Sequence, residues 1–276
     1  MSVRAAAPLS PPAQHQRQAI EHVVRAMRDR PGETRSLADL ARLAYLSPFH
    51  FSRVFRSVTG APPGRFLSAT RMATAKRLLV DSDLSVTDIC TGIGYSSLGT
   101  FTTQFGQQVG ISPRLLRRLS TAHGHRTLAE FPEPDPPPDA PVPSGSVSGI
   151  VRARDGEDML VFVGLFPGRI PLGQPAACAN RLGSGPFRLV GVPRGRFQLL
   201  AYAYPRGATL RSALLGEPRT CLLVGAADRP VVVGSGPTPA TVRLHLSPAT
   251  MVDPPVVSGV PLLTLTRVTE VNHARA

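Results

Sequence analysis

The chain has 276 residues, 42% of them hydrophobic, which is enough for one large or two ordinary domains with proper cores. The formal net charge is +13, and most of it lies in the first half: residues 1–128 hold 17 Lys and Arg against 7 Asp and Glu, whereas residues 129–276 hold 14 against 11. This charge favours a polyanionic partner, with general solubility as the alternative, and no apolar stretch is long enough for a membrane-spanning helix. The first residues lack the apolar segment of a secretory signal, so we expect a cytoplasmic protein without a membrane partner.

Two helices are predicted before residue 46. Residues 14–29 carry apolar side chains at helical spacing, and the pattern stops just before Pro31. Ser36 and Asp39 then fit a capping box that opens a short second helix, which ends near Tyr45.

The segment from Ser47 to Gly60 predicts a longer helix, because serine suits the N-cap, Pro48 the first turn and glycine the left-handed residue that ends a helix. Its apolar residues recur at i, i+3, i+4 and i+7 and form a core face: Phe51, Val54, Phe55 and Val58. A second face carries an aromatic ring, a hydroxyl and two guanidinium groups: Phe49, Ser52, Arg53 and Arg56. The short helix, tight turn and longer helix predict a helix-turn-helix whose second face suits DNA.

The same pattern returns about fifty residues later. The first part of the repeat matches five residues, Ser36, Leu37, Asp39, Leu40 and Ser47, to Ser85, Val86, Asp88, Ile89 and Ser96. After a one-residue insertion, the second part matches Phe51, Phe55, Gly60 and Pro63 to Phe101, Phe105, Gly110 and Pro113. Residues 65–80 predict a connecting helix, and Ser112 caps a last short helix over residues 114–119. Because one helix joins both units, we expect one monomer to span two successive major grooves, which lie roughly 34 Å apart.

Three stretches of this region resemble the DNA-binding domain of the AraC/XylS family of transcription regulators: LSPFHFSRVFRSVTGAPPGRFL, RMATAKRLLVDSDLSVTDICTGIGYSS and FTTQFGQQVGISP. The resemblance covers about residues 14–119. It implies seven helices, two recognition helices and control of transcription, usually activation, with double-stranded DNA and RNA polymerase as partners.

The resemblance also implies which residues contact DNA. In the first recognition helix they are Phe49, Ser52, Arg53 and Arg56; in the second they are Leu98, Gly99, Thr102 and Thr103, supported by Arg114, Arg117 and Arg118 just beyond. We expect Arg53 to contact a guanine in bidentate fashion and Arg56 to contact a phosphate, the alternative being a solvated basic face. No Lys or Arg occurs from residue 96 to 110, which departs from the family pattern. The first helix is therefore expected to dominate, with the second as a positioning clamp.

The second half of the chain predicts a linker and an all-β domain. Residues 131–143 include seven prolines, which predict a semi-rigid linker rather than an SH3-type ligand. Seven short β-branched or aromatic runs follow, namely SVSGIVR, DMLVFVGLF, PFRLVGV, RFQLLAYAY, TCLLVGA, PVVVG and ATVRLHL. They predict an antiparallel sandwich. The stretch GPFRLVGVPRGRFQLLAYAYP resembles a transthyretin-like or carboxypeptidase-regulatory-like sandwich, which implies an interaction module or a ligand pocket.

We find no catalytic, metal or cofactor motif in the sequence and expect a non-enzymatic protein without cofactors. His245 lies in a predicted strand and is expected to face solvent. The widely spaced Cys90, Cys178 and Cys221 are expected to be small buried hydrophobic residues rather than disulfide partners or zinc ligands. Hydrolases of the transthyretin-like group rely on a terminal Tyr-Arg-Gly-Ser that this chain lacks.

The predicted fold is therefore multidomain: an all-α N-terminal domain with two helix-turn-helix units and an all-β C-terminal antiparallel sandwich. The predicted boundaries are a flexible N-terminus over 1–13, the DNA-binding domain over 14–120, the linker over 121–145, the sandwich over 146–268 and a tail over 269–276. The domain order is unusual for the family, and no cupin-type histidine cluster is present. The chain is expected to be a monomer or a homodimer. Two roles of the sandwich stay open: sensing of an unknown small-molecule effector, or dimerisation and protein interaction in a non-catalytic DNA-binding adaptor.

Overall fold

The computed structural model describes residues 11–33, 36–131, 145–153, 158–216, 222–234 and 241–259. The helices are α1 (Pro11–Asp29), α2 (Leu37–Leu43), α3 (Pro48–Thr59), α4 (Pro63–Asp81), α5 (Val86–Gly92), α6 (Leu98–Val109), α7 (Pro113–His123) and α8 (Leu210–Leu215), with a 3₁₀ turn at Leu128–Glu130. The strands are β1 (Val147–Ala153), β2 (Met159–Phe166), β3 (Ala177–Leu182), β4 (Gly185–Leu189), β5 (Gly195–Pro205), β6 (Leu223–Ala226), β7 (Val231–Val233) and β8 (Val242–Pro248). All seven predicted helices of the N-terminal region are present, whereas α8 and β3 were not predicted.

The first helix-turn-helix unit has a hydrophobic cluster of its own. It consists of buried side chains from α1 to α4: Ile20, Val23, Val24, Met27, Leu40, Ala41, Ala44, Phe51, Val54, Phe55, Phe66 and Leu67. Helix α4 then continues into the second unit, where Met72 and Leu79 belong to a different cluster. One helix therefore packs into both cores and fixes the two units relative to each other.

The two helix-turn-helix turns are close copies. Tyr45 and Gly94 occupy equivalent positions and both have left-handed backbone conformations, with φ of 55° and 84°. The N–H of the next residue, Leu46 or Tyr95, donates to a carbonyl of the preceding short helix at 3.0 Å in both units. The duplication seen in the sequence is thus a duplication of backbone geometry.

The start of the second long helix differs by one residue from the sequence match. Its N-cap is Ser97 rather than Ser96, and the Ser97 hydroxyl accepts a hydrogen bond from the N–H of Thr100. The inserted residue therefore lies in the turn, before the helix begins. From Ser97 onward the second unit follows the first at a constant offset.

The β-strands form one sheet in the order β3-β2-β5-β6-β8-β1-β4, with β7 paired to β5. Strands β1 and β8 run parallel, and the other pairs are antiparallel. The two end strands, β3 and β4, follow each other through a tight turn in which an Arg181 Nη2 donates to the carbonyl of Ser184 at 2.6 Å. The sheet therefore nearly closes on itself.

This arrangement differs from the predicted antiparallel sandwich. One curved sheet replaces two stacked ones, one strand pair is parallel, and β4 and β5, on either side of the Pro-Arg-Gly turn, pair with other strands. The transthyretin-like arrangement is therefore not confirmed. Alternation and turn residues fix where strands begin and end, but they do not decide which strands become neighbours.

Strands β2 and β5 are buried on both faces. One face, including Val161, Val163 and Ala201, points into a cluster enclosed by the sheet. The other face, including Phe162 and Tyr204, joins the cluster of the second helix-turn-helix unit. The sheet and the helices α4 to α7 consequently share one hydrophobic core.

A segment after β8, residues 249–259, ties the sheet back to the helices, and we call it the strap. Its Asp253 carbonyl accepts from Arg28 of α1 at 3.0 Å, and the carbonyls of Val256 and Val257 accept from Lys76 of α4 at 3.0 Å each. The N–H of Gly259 donates to a carbonyl of α6 at 3.0 Å. The strap thus contacts three helices of the N-terminal region, α1, α4 and α6.

Other predictions have mixed outcomes. The predicted linker over 121–145 is partly structured, since α7 extends into it and Leu128 and Phe131 are buried; residues 132–144 lie outside the described residues. Cys90 is buried as expected, but Cys178 is exposed because it lies on the end strand β3. Cys221 lies outside the described residues. Within the described ranges, none of the helices has the length and apolar character needed to cross a membrane.

Candidate nucleic-acid interface

Both ends of α3 are set by its own residues. Ser47 is the N-cap with an extended backbone, Pro48 occupies the first turn, and Gly60 ends the helix with a left-handed φ of 75°. Phe51 and Phe55 are completely buried and pack against each other with ring centroids 5.4 Å apart. These core contacts fix the rotation of the helix about its axis, so the opposite face is directed to solvent.

The exposed face of α3 carries the four predicted DNA-contacting residues. Phe49 is 84% exposed, Arg53 and Arg56 are exposed, and Ser52 is half-buried. Phe49 lies on the same face as two exposed arginines, and this position rather than its exposure alone makes it a candidate contact residue. The structure therefore places all four on one accessible surface.

His50 joins this surface and was not singled out from the sequence. Its Nδ1 lies 3.2 Å from Nη2 of Arg53. A guanidinium group can only donate, so Nδ1 is the acceptor that this contact requires. The i, i+3 spacing of His50 and Arg53 is the signal that could have revealed the pair.

The equivalent face of α6 is accessible but uncharged. Leu98 is 44% exposed, and Gly99, Thr102 and Thr103 are exposed as well. At the offset set by the N-caps, Thr103 takes the place of Arg53. This face offers hydroxyl and methyl groups but no cation.

Tyr45 is a further exposed residue at the first turn. It is 95% exposed and adopts a left-handed conformation that costs a tyrosine free energy, whereas the second unit has Gly94 at this position. The exposure of Tyr45 could have been predicted from the sequence. When the two copies are aligned, this tyrosine takes the place of a turn glycine, Gly94. Because this exposed ring lies in the turn just before α3, Tyr45 adds to the candidate interface.

Two of the three arginines predicted beyond α6 have different surroundings. Arg114 is exposed in the first turn of α7. Arg117 instead donates to three main-chain carbonyls at and after the C-terminal end of α4: those of Leu79 at 3.1 Å, Ser82 at 3.4 Å and Leu84 at 2.7 Å. Arg117 thus holds α7 against α4, and its DNA contact stays a prediction that this bonding does not favour.

The described residues contain no cluster of His, Cys, Asp and Glu side chains that could hold a metal ion. His245 is exposed on β8, as expected. The accessible faces of α3 and α6 present guanidinium groups, hydroxyls and an aromatic ring.

Comparisons with known proteins concern the helical region that carries this candidate interface. The helix-turn-helix domain family matches residues 40–119. The chain is 33% identical over 95 residues to the HTH-type transcriptional activator AarP of Providencia stuartii, an alignment that covers 34% of this chain and 70% of AarP. It is 35% identical over 91 residues to the HTH-type transcriptional regulator Rv1931c of Mycobacterium tuberculosis, covering 33% of this chain and 35% of that protein.

Among solved structures, the DNA-binding domain of AdpA, a global transcriptional factor in complex with a target DNA, is 34% identical. The match covers 38% of this chain and 94% of that chain, with a TM-score of 0.36. The chain spans only about a third of the length of Rv1931c. The likeness to these proteins is a likeness of the helical region, and it extends over most of AarP. On the evidence of AarP and of the matching domain family, the chain belongs to the AraC family of helix-turn-helix transcriptional regulators.

Proposed function

We propose that the protein activates transcription by placing α3 and α6 in successive major grooves of its operator, with α3 reading most of the base sequence. The observation that carries this proposal is the contrast between the two exposed faces. That of α3 carries two exposed arginines and an exposed phenylalanine, whereas that of α6 carries no cation.

On α3 the three types of side chain suit three types of contact. A guanidinium such as that of Arg53 can donate two hydrogen bonds to O6 and N7 of guanine, the most common specific contact in the major groove. The ring of Phe49 suits the methyl group of a thymine. Arg56, one turn further along, suits a phosphate, which would fix the register of the helix on the duplex.

On α6 the side chains suit positioning rather than reading. The hydroxyls of Thr102 and Thr103 can donate to phosphates, and their methyl groups can contact thymine, but neither makes a bidentate pair with guanine. The small Gly99 allows the helix backbone to approach the DNA closely. Arg114 would add a phosphate contact beside this helix.

The test of this assignment is the variant Arg53→Ala, measured by binding to an operator selected with the purified protein. We expect binding to weaken by about 1 to 3 kcal/mol and the preference at one base position to relax. Thr103→Ala, at the equivalent position of α6, is the matched control and should have a smaller effect. Unchanged affinity and preference for Arg53→Ala would contradict the assignment of the reading face.

Activation is supported by the similarity to AarP, which is a transcriptional activator and is covered over 70% of its length. RNA polymerase is then the expected second partner. In vitro transcription from a promoter that carries the mapped operator should rise when the protein is added, and a fall would identify a repressor instead.

The sheet has two candidate roles in this scheme. A cavity of about 340 Å³ between α3 and the sheet, lined in part by Tyr202, His245 and Pro254, favours a small-molecule effector, which would raise the melting temperature by mass action. The other candidate role is dimerisation or protein interaction, for which the exposed Val190 and Val232 are available as contact residues. In that case the apparent operator affinity would depend on the protein concentration in the range where dimers form.

A further inference from the structure

A large cleft lies between the helices and the sheet beside the recognition helix α3. Its volume is about 1010 Å³, and it is bounded by the end of α3, the start of α4, the loop after β2 and the start of β5. Four arginines line it, two from the helices, one from the loop after β2 and one from β5: Arg56, Arg65, Arg169 and Arg196. We call it the arginine cleft.

The charge of the arginine cleft is not neutralised by the described part of the protein. All four arginines are exposed, no Asp or Glu lines the cleft, and none of the four forms an ion pair with a described carboxylate. Arg169 donates to the main-chain carbonyl of Asp228 at 3.4 Å, a bond that leaves its charge in place. Four cations around one concave surface with no anion among them create a strong positive potential.

Arg169 is held against the end of the recognition helix. A Cβ added to Gly60 would lie 2.8 Å from Cδ of Arg169, so the absence of a side chain at this left-handed position lets the arginine stem pack over the helix end. A residue of the sheet is thereby fixed beside the DNA-contacting region. This contact joins the two surfaces structurally.

The cleft is also continuous with the face of α3 that we assign to DNA. Arg56 belongs to both, because it lies one helical turn after Arg53 and also lines the cleft. A DNA strand that contacts Arg56 would therefore pass the cleft next. The exposure of the arginines favours a long polyanion over a small anion, because small-molecule sites typically enclose most of their ligand.

We propose that the arginine cleft binds the sugar-phosphate backbone of the operator just outside the groove that α3 occupies, with Arg169 and Arg196 of the sheet as phosphate contacts. This inference rests on the proposed function of α3. The β-sheet would then be part of the DNA-binding surface, and the footprint on DNA would be longer than the two helix-turn-helix units alone produce.

Salt dependence of DNA binding tests the proposal directly, because each phosphate contact contributes about 0.9 to the slope of log K against log salt concentration. We expect the double variant Arg169→Gln/Arg196→Gln to reduce this slope by about 1.8 while base preference stays the same. The matched control is Arg152→Gln/Arg243→Gln, which removes the same charge from exposed positions on β1 and β8 outside the cleft. The control should leave the slope unchanged, and thermal unfolding of both variants should match that of the wild type.

Three outcomes would overturn the proposal. One is an unchanged slope in the cleft variant, and another is an equal reduction in the control, which would indicate only a general charge effect. In the third outcome, pyrophosphate binds to the wild type but not to the cleft variant, while the two proteins show the same salt slope of DNA binding. The cleft would then be a site for a small anion. Failure of the proposed function is a separate result, since it would appear as no preference of the wild type for operator over random DNA at matched salt.

Discussion

Lys76 is the only charged side chain that the described residues bury completely. Its Nζ donates to the carbonyls of Val256 and Val257 in the strap, at 3.0 Å each. A neutral amine has two N–H groups, which these two carbonyls satisfy, whereas an ammonium has a third that would be left in apolar surroundings. Burial accordingly lowers the pKa of Lys76 to about 7.

The depressed pKa of Lys76 predicts a pH-dependent stability. In the unfolded chain a lysine has a pKa of about 10.4, so between pH 7 and pH 10 the unfolded state binds more protons than the folded state. The free energy of unfolding should therefore rise with pH across this window, by up to about 1.4 kcal/mol per pH unit, and the contribution should be flat below it. Urea unfolding at a series of pH values measures this, with Lys76→Met as the control that lacks the rise. Parallel curves for the two proteins would contradict the prediction.

Single residues were predictable from the sequence only where the cause is local. The exposed face of α3 followed from helical spacing, because Phe51, Val54 and Phe55 recur on one side of the helix and are buried there. Lys76 was read only as part of a connecting helix, since the two carbonyls that it meets are about 180 residues further along the chain. The sequence also predicted that Arg117 contacts DNA, because its actual partners lie more than 30 residues earlier in the chain and are brought to it only by the packing of α7 on α4.

At the level of elements, we expect substitutions of Arg117 and Arg114 in α7 to have different effects: the first should lower the stability of the protein and the second should weaken its binding to DNA. Its guanidinium hydrogen-bonds the carbonyls at the end of α4, which the helix leaves without partners of its own. We expect Arg117→Ala to lower the free energy of unfolding by about 1 to 3 kcal/mol. Arg114→Ala, an exposed position on the same helix, should change it by less than about 0.5 kcal/mol.

The same two variants should behave in the opposite way on DNA. We expect Arg114→Ala to reduce the salt slope of DNA binding by about 0.9, the contribution of one phosphate, and folded Arg117→Ala to leave it unchanged. A reduced slope for Arg117→Ala would restore the sequence-based prediction that this residue contacts DNA.

Helix bounds were predictable to within a few residues because the capping residues stand next to the helix in the sequence, as Ser47 and Gly60 do at the two ends of α3. Strand β3 was missed because its sequence, ACANRL, has neither β-branched residues nor an alternating pattern. The continuous apolar run of β2, MLVFVGLF, was read as one strand among seven, although such a run indicates burial on both faces. That signal could have predicted that helices cover one side of the sheet.

At the level of the whole molecule, the two helix-turn-helix units depend differently on the sheet. The first has its own cluster, whereas the second shares its cluster with β2, β5, α8 and the strap. A chain that ends at residue 131 should therefore keep hydrogen-exchange protection in α1 to α3 while amides in α5 to α7 exchange roughly tenfold faster or more, equivalent to about 1.4 kcal/mol. Hydrogen exchange of this truncated chain and of the full chain, both measured by mass spectrometry, gives the comparison. An equal change in exchange rate over all seven helices would contradict the prediction.

This dependence also affects how truncation is interpreted. Loss of operator binding after removal of the sheet would be expected from a weakened second unit alone, without any role of the sheet in dimerisation. Dimerisation is better tested in the full chain, by sedimentation of variants such as Val232→Ser, whose side chain is exposed.

The shared core has a thermodynamic consequence for regulation. A binding event that stabilises the packing of the sheet on α4 to α7 also stabilises the position of α6, and such coupling free energies are reciprocal. If the sheet binds an effector and α6 holds operator DNA, the DNA changes the affinity for the effector by the same factor by which the effector changes the affinity for DNA. A signal can thus pass between the two halves through their common hydrophobic core, without a hinge or a moving lid.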